Sequence, residues 1–194
     1  MKILAFDLAE KCGWAIAQNL PEPAVVTCDL PGSDMRSEVR TWVQILDSGL
    51  LLLGDGAHTP QEEGIWLDDV RRQLIDFLQA HSADVLVYEF SPWLRGSGRT
   101  STRGMLTTVG LRFALLMATA ECKVKRVIEI DPNAWQHKMI GGGNRELRKS
   151  KSRQMAAMRL GLKTDDHNIS DAALMADYIF ACLRTGTPGQ GEAI

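Results

Sequence analysis

No two of the four cysteines stand close enough in sequence to make a short-spaced ligand pair: Cys12, Cys28, Cys122 and Cys182 are scattered along 194 residues. Neither a zinc site nor a disulfide framework is suggested, and four free, buried or half-buried thiols are expected. Long apolar runs are also missing: none approaches the roughly 20 residues that cross a bilayer. The opening run Met1 to Phe6 is broken by Asp7, Glu10 and Lys11, too early for a secretory signal. A soluble, intracellular protein without a membrane partner is expected. There is no internal repeat and no linker, and 45% hydrophobic residues suffice for one core. The expectation is one domain over residues 1–185 and a flexible tail over 186–194.

Acidic residues are scarce in two long blocks. Residues 1–90 carry 6 Lys or Arg against 15 Asp or Glu, whereas 91–126 carry 7 against 1 and 133–163 carry 8 against 1. A net charge of −2 conceals this segregation, and blocks so one-sided point to contact with a polyanion. In the first block Arg95, Arg99 and Arg103 interleave with Trp93, Ser97, Thr100, Ser101 and Thr102, just after Phe90. Arginines supply phosphate contacts, hydroxyls and glycine amides add hydrogen bonds, and Trp93 or Phe90 can stack on or wedge between bases. In the second block Arg145, Arg148, Lys149, Lys151 and Arg153 follow the triple glycine 141–143.

Lys2 to Phe6, Trp14 to Gln18 and Ala24 to Leu30 read as three strands of an antiparallel meander, with a turn at Pro21-Glu22-Pro23 between the last two. Val39, Trp42, Val43, Ile45 and Leu46 have helical spacing, so a helix capped by Ser33 or Asp34 is expected there, followed by a loop over 54–64. A second helix is expected from Ile65 to Ala80, and a fully buried strand from Asp84 to Tyr88. Beyond the Ser/Gly/Arg loop come a long helix, Met105 to Cys122, and a strand, Val124 to Ile130. Pro132 opens a further helix, 147–160 resumes helical spacing, and a last helix runs from about Asn168 to Leu183. Trp14, Trp42, Trp66 and Trp135 read as packing residues. The order predicts an α/β protein with a mixed sheet.

Asp7 ends the first apolar strand and Glu89 the fourth, while Asp171 lies near the start of the last helix. Acids on two buried strands and a helix start form the oxygen-ligand set that Mg²⁺, or Mn²⁺ in its place, needs for two-metal phosphodiester hydrolysis.

At these residues the chain resembles the RuvC-type Holliday junction resolvases. Asp7 with Gly13-Trp14 is similar to their first-strand motif, Glu89 to their second acid, and Asp171 within Asp-Ala-Ala-Leu to their last; the ordered set spans Lys2 to about Leu183. The resemblance implies a ribonuclease H-like fold, a mixed five-stranded sheet flanked by helices. It also implies a magnesium-dependent crossover junction endodeoxyribonuclease acting on branched DNA, a four-way junction foremost, as a homodimer in a bacterial or phage-infected cytoplasm. The long segment from Asp29 to Gly64 is similar to phage-encoded members. In the family the loop corresponding to 91–102 enters the junction, and a glycine-containing loop followed by a lysine, best matched by Lys151, contacts the backbone. The family's fourth ligand, three residues before the last acid, is matched by Asn168 rather than Asp or His, and His167 stands one residue earlier. Either His167 or Asn168 is expected to complete the site, with the imidazole at least as important; Asp165 and Asp166 are less favoured because they precede the helix. The dimer is expected to use the helix from Met105 to Cys122 through Leu111, Ala114, Leu115, Leu116, Met117, Ala118 and Ala120. Two rival readings are an ATPase or kinase of the related actin-like fold and a noncatalytic nucleic-acid-binding module. The first needs glycine-rich phosphate turns, yet Glu89 is followed by Phe-Ser-Pro-Trp.

Overall fold

A computed structural model describes residues 1–29, 36–54, 59–90 and 102–186. Strands β1 (Lys2–Asp7), β2 (Lys11–Asp29) and β3 (Arg36–Leu52) come first, followed by α1 (Pro60–Ala80) and β4 (Val85–Glu89). Then follow α2 (Thr102–Glu121), β5 (Val127–Ile130), α3 (Pro132–Met139), α4 (Arg145–Leu160) and α5 (His167–Thr185). The five strands form one sheet in the order β3-β2-β1-β4-β5. β1, β2 and β3 pair antiparallel, while β1, β4 and β5 run parallel, so the sheet is mixed.

The two-residue alternation of the central strands sorts their side chains onto two packed faces. Leu4 and Phe6 of β1, with Leu86 and Tyr88 of β4, point to a core shared with α1 and α2. Ile3, Ala5, Val85, Val87, Ile128 and Ile130 point the other way, to a core built with Trp135 of α3, Ala156 and Leu160 of α4 and the 172–180 stretch of α5. Short caps set the helix starts. Thr59 and Glu62 form a reciprocal capping box on α1 with Pro60 at its first position, and Asp131, Asn144 and Asp166 cap α3, α4 and α5.

The structure corrects two expectations in the first quarter of the chain. Residues 36–52 are strand, not helix: Thr41 and Val43 are buried and Ile45 packs on the core, while Trp42 and Leu46 face outward, which is a period of two. Apolar residues at 39, 42, 43, 45 and 46 satisfy both periods, and the unpaired edge of the 19-residue β2 decides for the strand. Pro21-Glu22-Pro23 does not end a strand either. The β2–β3 register shifts between Asn19 and Ala24, so the segment that lacks two amide donors is absorbed as a bulge in one continuous strand. The 54–64 loop also yields to α1 at Pro60. Among the described residues no helix is long and apolar enough to cross a membrane.

Candidate active site

Three carboxylates converge where β1, β4 and α5 meet. Phe6 pairs with Tyr88 across parallel neighbours, so the next residues on both strands, Asp7 and Glu89, sit side by side at the C-terminal ends of β1 and β4. Each follows by two a residue of the α5-facing core, Ala5 or Val87, and therefore projects toward that helix. The C-terminal edge of parallel strands is where open α/β sheets bind their ligands. Asp171 comes from the second turn of α5, whose start is fixed twice. Asp166 accepts a hydrogen bond from the Asn168 amide at 2.8 Å, and the Asn168 side-chain amide donates to the Lys11 carbonyl at 2.9 Å. Gly13 makes the approach possible: a Cβ there would lie 2.2 Å from the Asn168 carbonyl carbon and oxygen. The Gly13 of the first-strand motif is thus explained by close backbone packing.

The acids share one electrostatic field. Burial pushes the Asp7 carboxyl well above the usual range, and the charges of Glu89, Asp171 and Asp166 push it further. Burial raises Glu89 to about 7, against a hydrogen bond from Trp135 and with help from Asp171 and Asp131. Burial likewise raises Asp171 to about 6, opposed by Ser152 and Arg148. Carboxylates that resist ionising together are relieved by a divalent cation, and their oxygens suit a hard one. Among the described residues no three His, Cys, Asp or Glu side chains close around one point. By its chemistry alone, a set of carboxylate oxygens suits a hard cation such as Mg²⁺, which keeps waters and takes further oxygens from a phosphate.

Sequence reasoning missed three neighbours of these acids. Trp135 Nε1 donates to Glu89 at 2.8 Å. Ser152 of α4 donates its hydroxyl to Asp171. Asp166, set aside as preceding the helix, pairs with Lys11 at 2.6 Å and adds its charge to the fields of Asp7 and Asp171. An Asp directly before His167-Asn168, at the cap position of the last helix, was a usable signal for Asp166, whereas nothing local marked Trp135 or Ser152. His167 instead stands among Lys149, Arg153 and Arg145, and burial together with these cations lowers its pKa.

The second basic block lies on α4. Arg148 reaches the fields of both Glu89 and Asp171 and donates to Gln136 at 2.9 Å. Lys149 also reaches Asp171. Lys151 donates to the Gly142 carbonyl at 2.9 Å, tying the helix to the glycine turn, and Arg153 donates to the Asp165 carbonyl at 3.2 Å. Beside Arg148 a cavity of about 680 Å³ opens between α3 and the glycine turn, lined among others by Asn133, Gln136 and Gly142. Phe90 is held into the fold: its amide donates to the Ile130 carbonyl at 3.1 Å and its ring lies 4.8 Å under the Arg112 guanidinium. Trp93, Arg95 and Arg99 fall outside the described residues, and Arg103 falls in the first turn of α2.

No protein-family model matches this sequence, and no curated protein is significantly similar to it. Solved structures are similar in fold. The RuvC structure of Thermus thermophilus aligns with a TM-score of 0.62 at 16% identity, over 96% of this chain and 98% of that one. The chain has the RuvC fold. T. thermophilus RuvC in complex with a Holliday junction substrate aligns over 96% of this chain and 97% of its own, with a TM-score of 0.61 and 16% identity. The yeast mitochondrial Holliday junction resolvase Ydc2 aligns with a TM-score of 0.57 at 14% identity, over 95% of this chain and 81% of that one. The mixed sheet with helices on both faces is thus the ribonuclease H-like architecture of RuvC.

Proposed function

We propose that this protein is a metal-dependent, structure-selective endodeoxyribonuclease that cuts four-way junctions or other branched DNA. One observation supports the reading: Asp7 and Glu89 sit side by side at the C-terminal edge of a RuvC fold, and the charge of Asp171 on α5 reaches both. Asp7, Glu89 and Asp171 would hold Mg²⁺ or Mn²⁺, with Asp166 or Asn168 at the rim. Bound there, the ions supply an activated water and charge stabilisation at the leaving oxygen. The chain's own residues do the rest. Arg148 and Lys149 bring positive charge to the same edge and orient a scissile phosphate, while Lys151 and Arg153 extend that surface along α4. Trp93, Arg95, Arg99 and Arg103, beyond the end of β4, engage the branch point, while Phe90 anchors the chain that leads to them. The similarity to resolvase structures favours branched over linear DNA.

Cutting two strands at related positions calls for two sites, so the active species is a symmetric homodimer. The apolar face available for it on α2 shares only Met117 and Ala120 with the residues expected. Leu111, Ala114, Leu115 and Ala118 are buried against the chain's own sheet and α1, whereas Leu106, Phe113 and Met117 are exposed along one stripe of α2.

The test is incubation of labelled four-way junction, fork and linear duplex with the protein, with and without Mg²⁺. Cleavage of the junction is expected with Mg²⁺ or Mn²⁺ and not with Ca²⁺, whose looser coordination misplaces the reacting groups. Asp7→Asn, Glu89→Gln and Asp171→Asn should each abolish cutting while leaving junction binding largely intact, because phosphate contacts remain. Binding without cutting by the unaltered protein would favour the noncatalytic reading instead.

A further inference from the structure

Several part-buried acids among the described residues are matched by cations. Glu129 pairs with Arg112 at 2.7 Å, Asp177 with Arg159 at 2.8 Å, and Asp166 with Lys11 at 2.6 Å. Glu89 and Asp171 are held differently. Glu89 accepts from the indole N–H of Trp135 at 2.8 Å, and Asp171 accepts from the Ser152 hydroxyl. Both donors are uncharged, and both side chains are wholly buried, Trp135 at 0% and Ser152 at 0% exposure.

Neither contact is a local accident of the chain. Glu89 pairs with Ile130 at the end of β5, and α3 starts two residues later with Asp131 accepting from the Asn133 amide at 2.7 Å and Pro132 in its first turn. The helix therefore leaves the sheet beside Glu89, and Trp135, one turn in, returns its ring to that carboxylate. Ser152 lies one turn beyond Arg148 on the face of α4 that looks toward the acids. Two separate helices thus each deliver one neutral donor to one acid. A lysine or arginine in either place would orient the carboxylate but cancel the charge that draws a cation. A neutral donor fixes one oxygen and leaves the charge in place.

We propose that Trp135 and Ser152 are positioning residues of the metal site, each holding one oxygen of its carboxylate through a neutral hydrogen bond rather than an ion pair, so that Glu89 and Asp171 present fixed oxygens to a divalent cation. The proposal rests on the reading of Asp7, Glu89 and Asp171 as the metal-holding acids. A buried indole needs some acceptor wherever it packs, and a packing role alone makes a different forecast: loss of stability with unchanged metal affinity.

Trp135→Phe and Ser152→Ala in the full chain separate the two. Mn²⁺ binding is measured by calorimetry on the DNA-free protein, junction binding in Ca²⁺, and cleavage against Mg²⁺ concentration, each on protein whose melting temperature has been recorded. Each variant is expected to weaken Mn²⁺ binding, or to raise the Mg²⁺ concentration for half-maximal cleavage, by roughly tenfold or more, with junction affinity unchanged. Ser152→Thr, which keeps the hydroxyl, should recover most of the loss. Ser152→Ala removes one buried oxygen only and carries the test should Trp135→Phe fold poorly. Folded variants that bind Mn²⁺ and cut as the unaltered protein does overturn the proposal while leaving the nuclease reading standing. Weakened Mn²⁺ binding in a protein that cuts no branched DNA supports the positioning role and sinks the nuclease. An unaltered protein that binds no Mn²⁺ overturns the proposal.

Discussion

His167 and Asn168 are adjacent at the start of α5 and face different neighbours. Asn168 is tied to β2 by its side-chain amide and packs its backbone on Gly13, whereas His167 sits among the cations of α4. A ring beside Lys149, Arg153 and Arg145, with Asp166 the acid that opposes them, suits contact with phosphate better than with another cation. Asn168→Ala removes a hydrogen bond worth about 1 kcal/mol that orients the turn carrying Asp171, so cleavage should fall by up to roughly fivefold. His167→Ala should instead weaken junction binding and leave the Mg²⁺ dependence of the rate unchanged. Titrating both variants with Mg²⁺ under single-turnover conditions decides between them. A rise in metal requirement confined to His167→Ala would make the imidazole a ligand, one of the two roles, ligand or proton carrier, that the sequence left open for it. Asp166 completes this picture. Its carboxylate caps α5 and pairs with Lys11, yet its charge still reaches Asp7 and Asp171.

The placement of the site depends on how closely α5 crosses the β1–β2 pair. β1 contributes Asp7, the turn returns through Lys11, and Gly13 admits the first turn of α5 at a distance no side chain tolerates. Gly13→Ala puts a methyl 2.2 Å from the Asn168 backbone, so α5 or β2 has to shift. Overpacking of this kind costs about 1–3 kcal/mol. Thermal unfolding should show that loss, and cleavage should fall further than stability does, because Asp171 moves with the helix while Asp7 and Glu89 do not. A variant that melts normally and cuts normally would mean that α5 has slack at this contact. At the other end of the site, Arg112 joins α2 to the strand ends. It pairs with Glu129, which also accepts from Tyr88 at 2.5 Å, and covers the Phe90 ring, so the chain leaving β4 is anchored to both β5 and α2.

Across the whole molecule, the raised carboxyls make stability without metal depend on pH. Glu89 holds its proton to about 7 and Asp171 to about 6, whereas both lose it near their ordinary values, 4.5 and 3.8, once unfolded. Between those limits the folded state binds more protons, so stability present at low pH is lost as pH rises through 6 to 7. His167 works in the opposite sense, since its lowered pKa costs stability as pH falls below its ordinary value. With Asp7 raised in the same sense, three carboxyls outweigh one half-buried imidazole. In chelator the melting temperature should be higher at pH 5.5 than at pH 8, by on the order of 5 °C. Mg²⁺ should raise it at pH 8 and do little at pH 5.5. A melting temperature that climbs with pH in chelator would contradict the crowding of the acids. The stripe proposed above for assembly lies on the opposite face of the sheet. Leu106, Phe113 and Met117 are 52%, 56% and 59% exposed, an apolar stripe for a second copy. Sedimentation should give a dimer for the unaltered chain and a monomer for Phe113→Asp, with paired incisions lost. A Phe113→Asp dimer would place the interface elsewhere.

The sequence by itself determined the order and type of most elements, the mixed sheet, and the three acids at strand and helix ends, because those follow from local periodicity, caps and the charge that interrupts an apolar run. It also marked the basic face of α4 as a block of one sign. Where two periods fit the same apolar residues, as at Val39, Val43 and Ile45, only a partner strand chose between them, and pairing with β2 is a nonlocal fact. Gly13 was legible as part of a motif, but its reason lies 155 residues away in Asn168. The donors to the acids were decided by tertiary structure alone. Trp135 and Ser152 carry no local signature of their task, since a buried tryptophan and a helical serine acquire a carboxylate only when α3 and α4 dock on the same edge of the sheet.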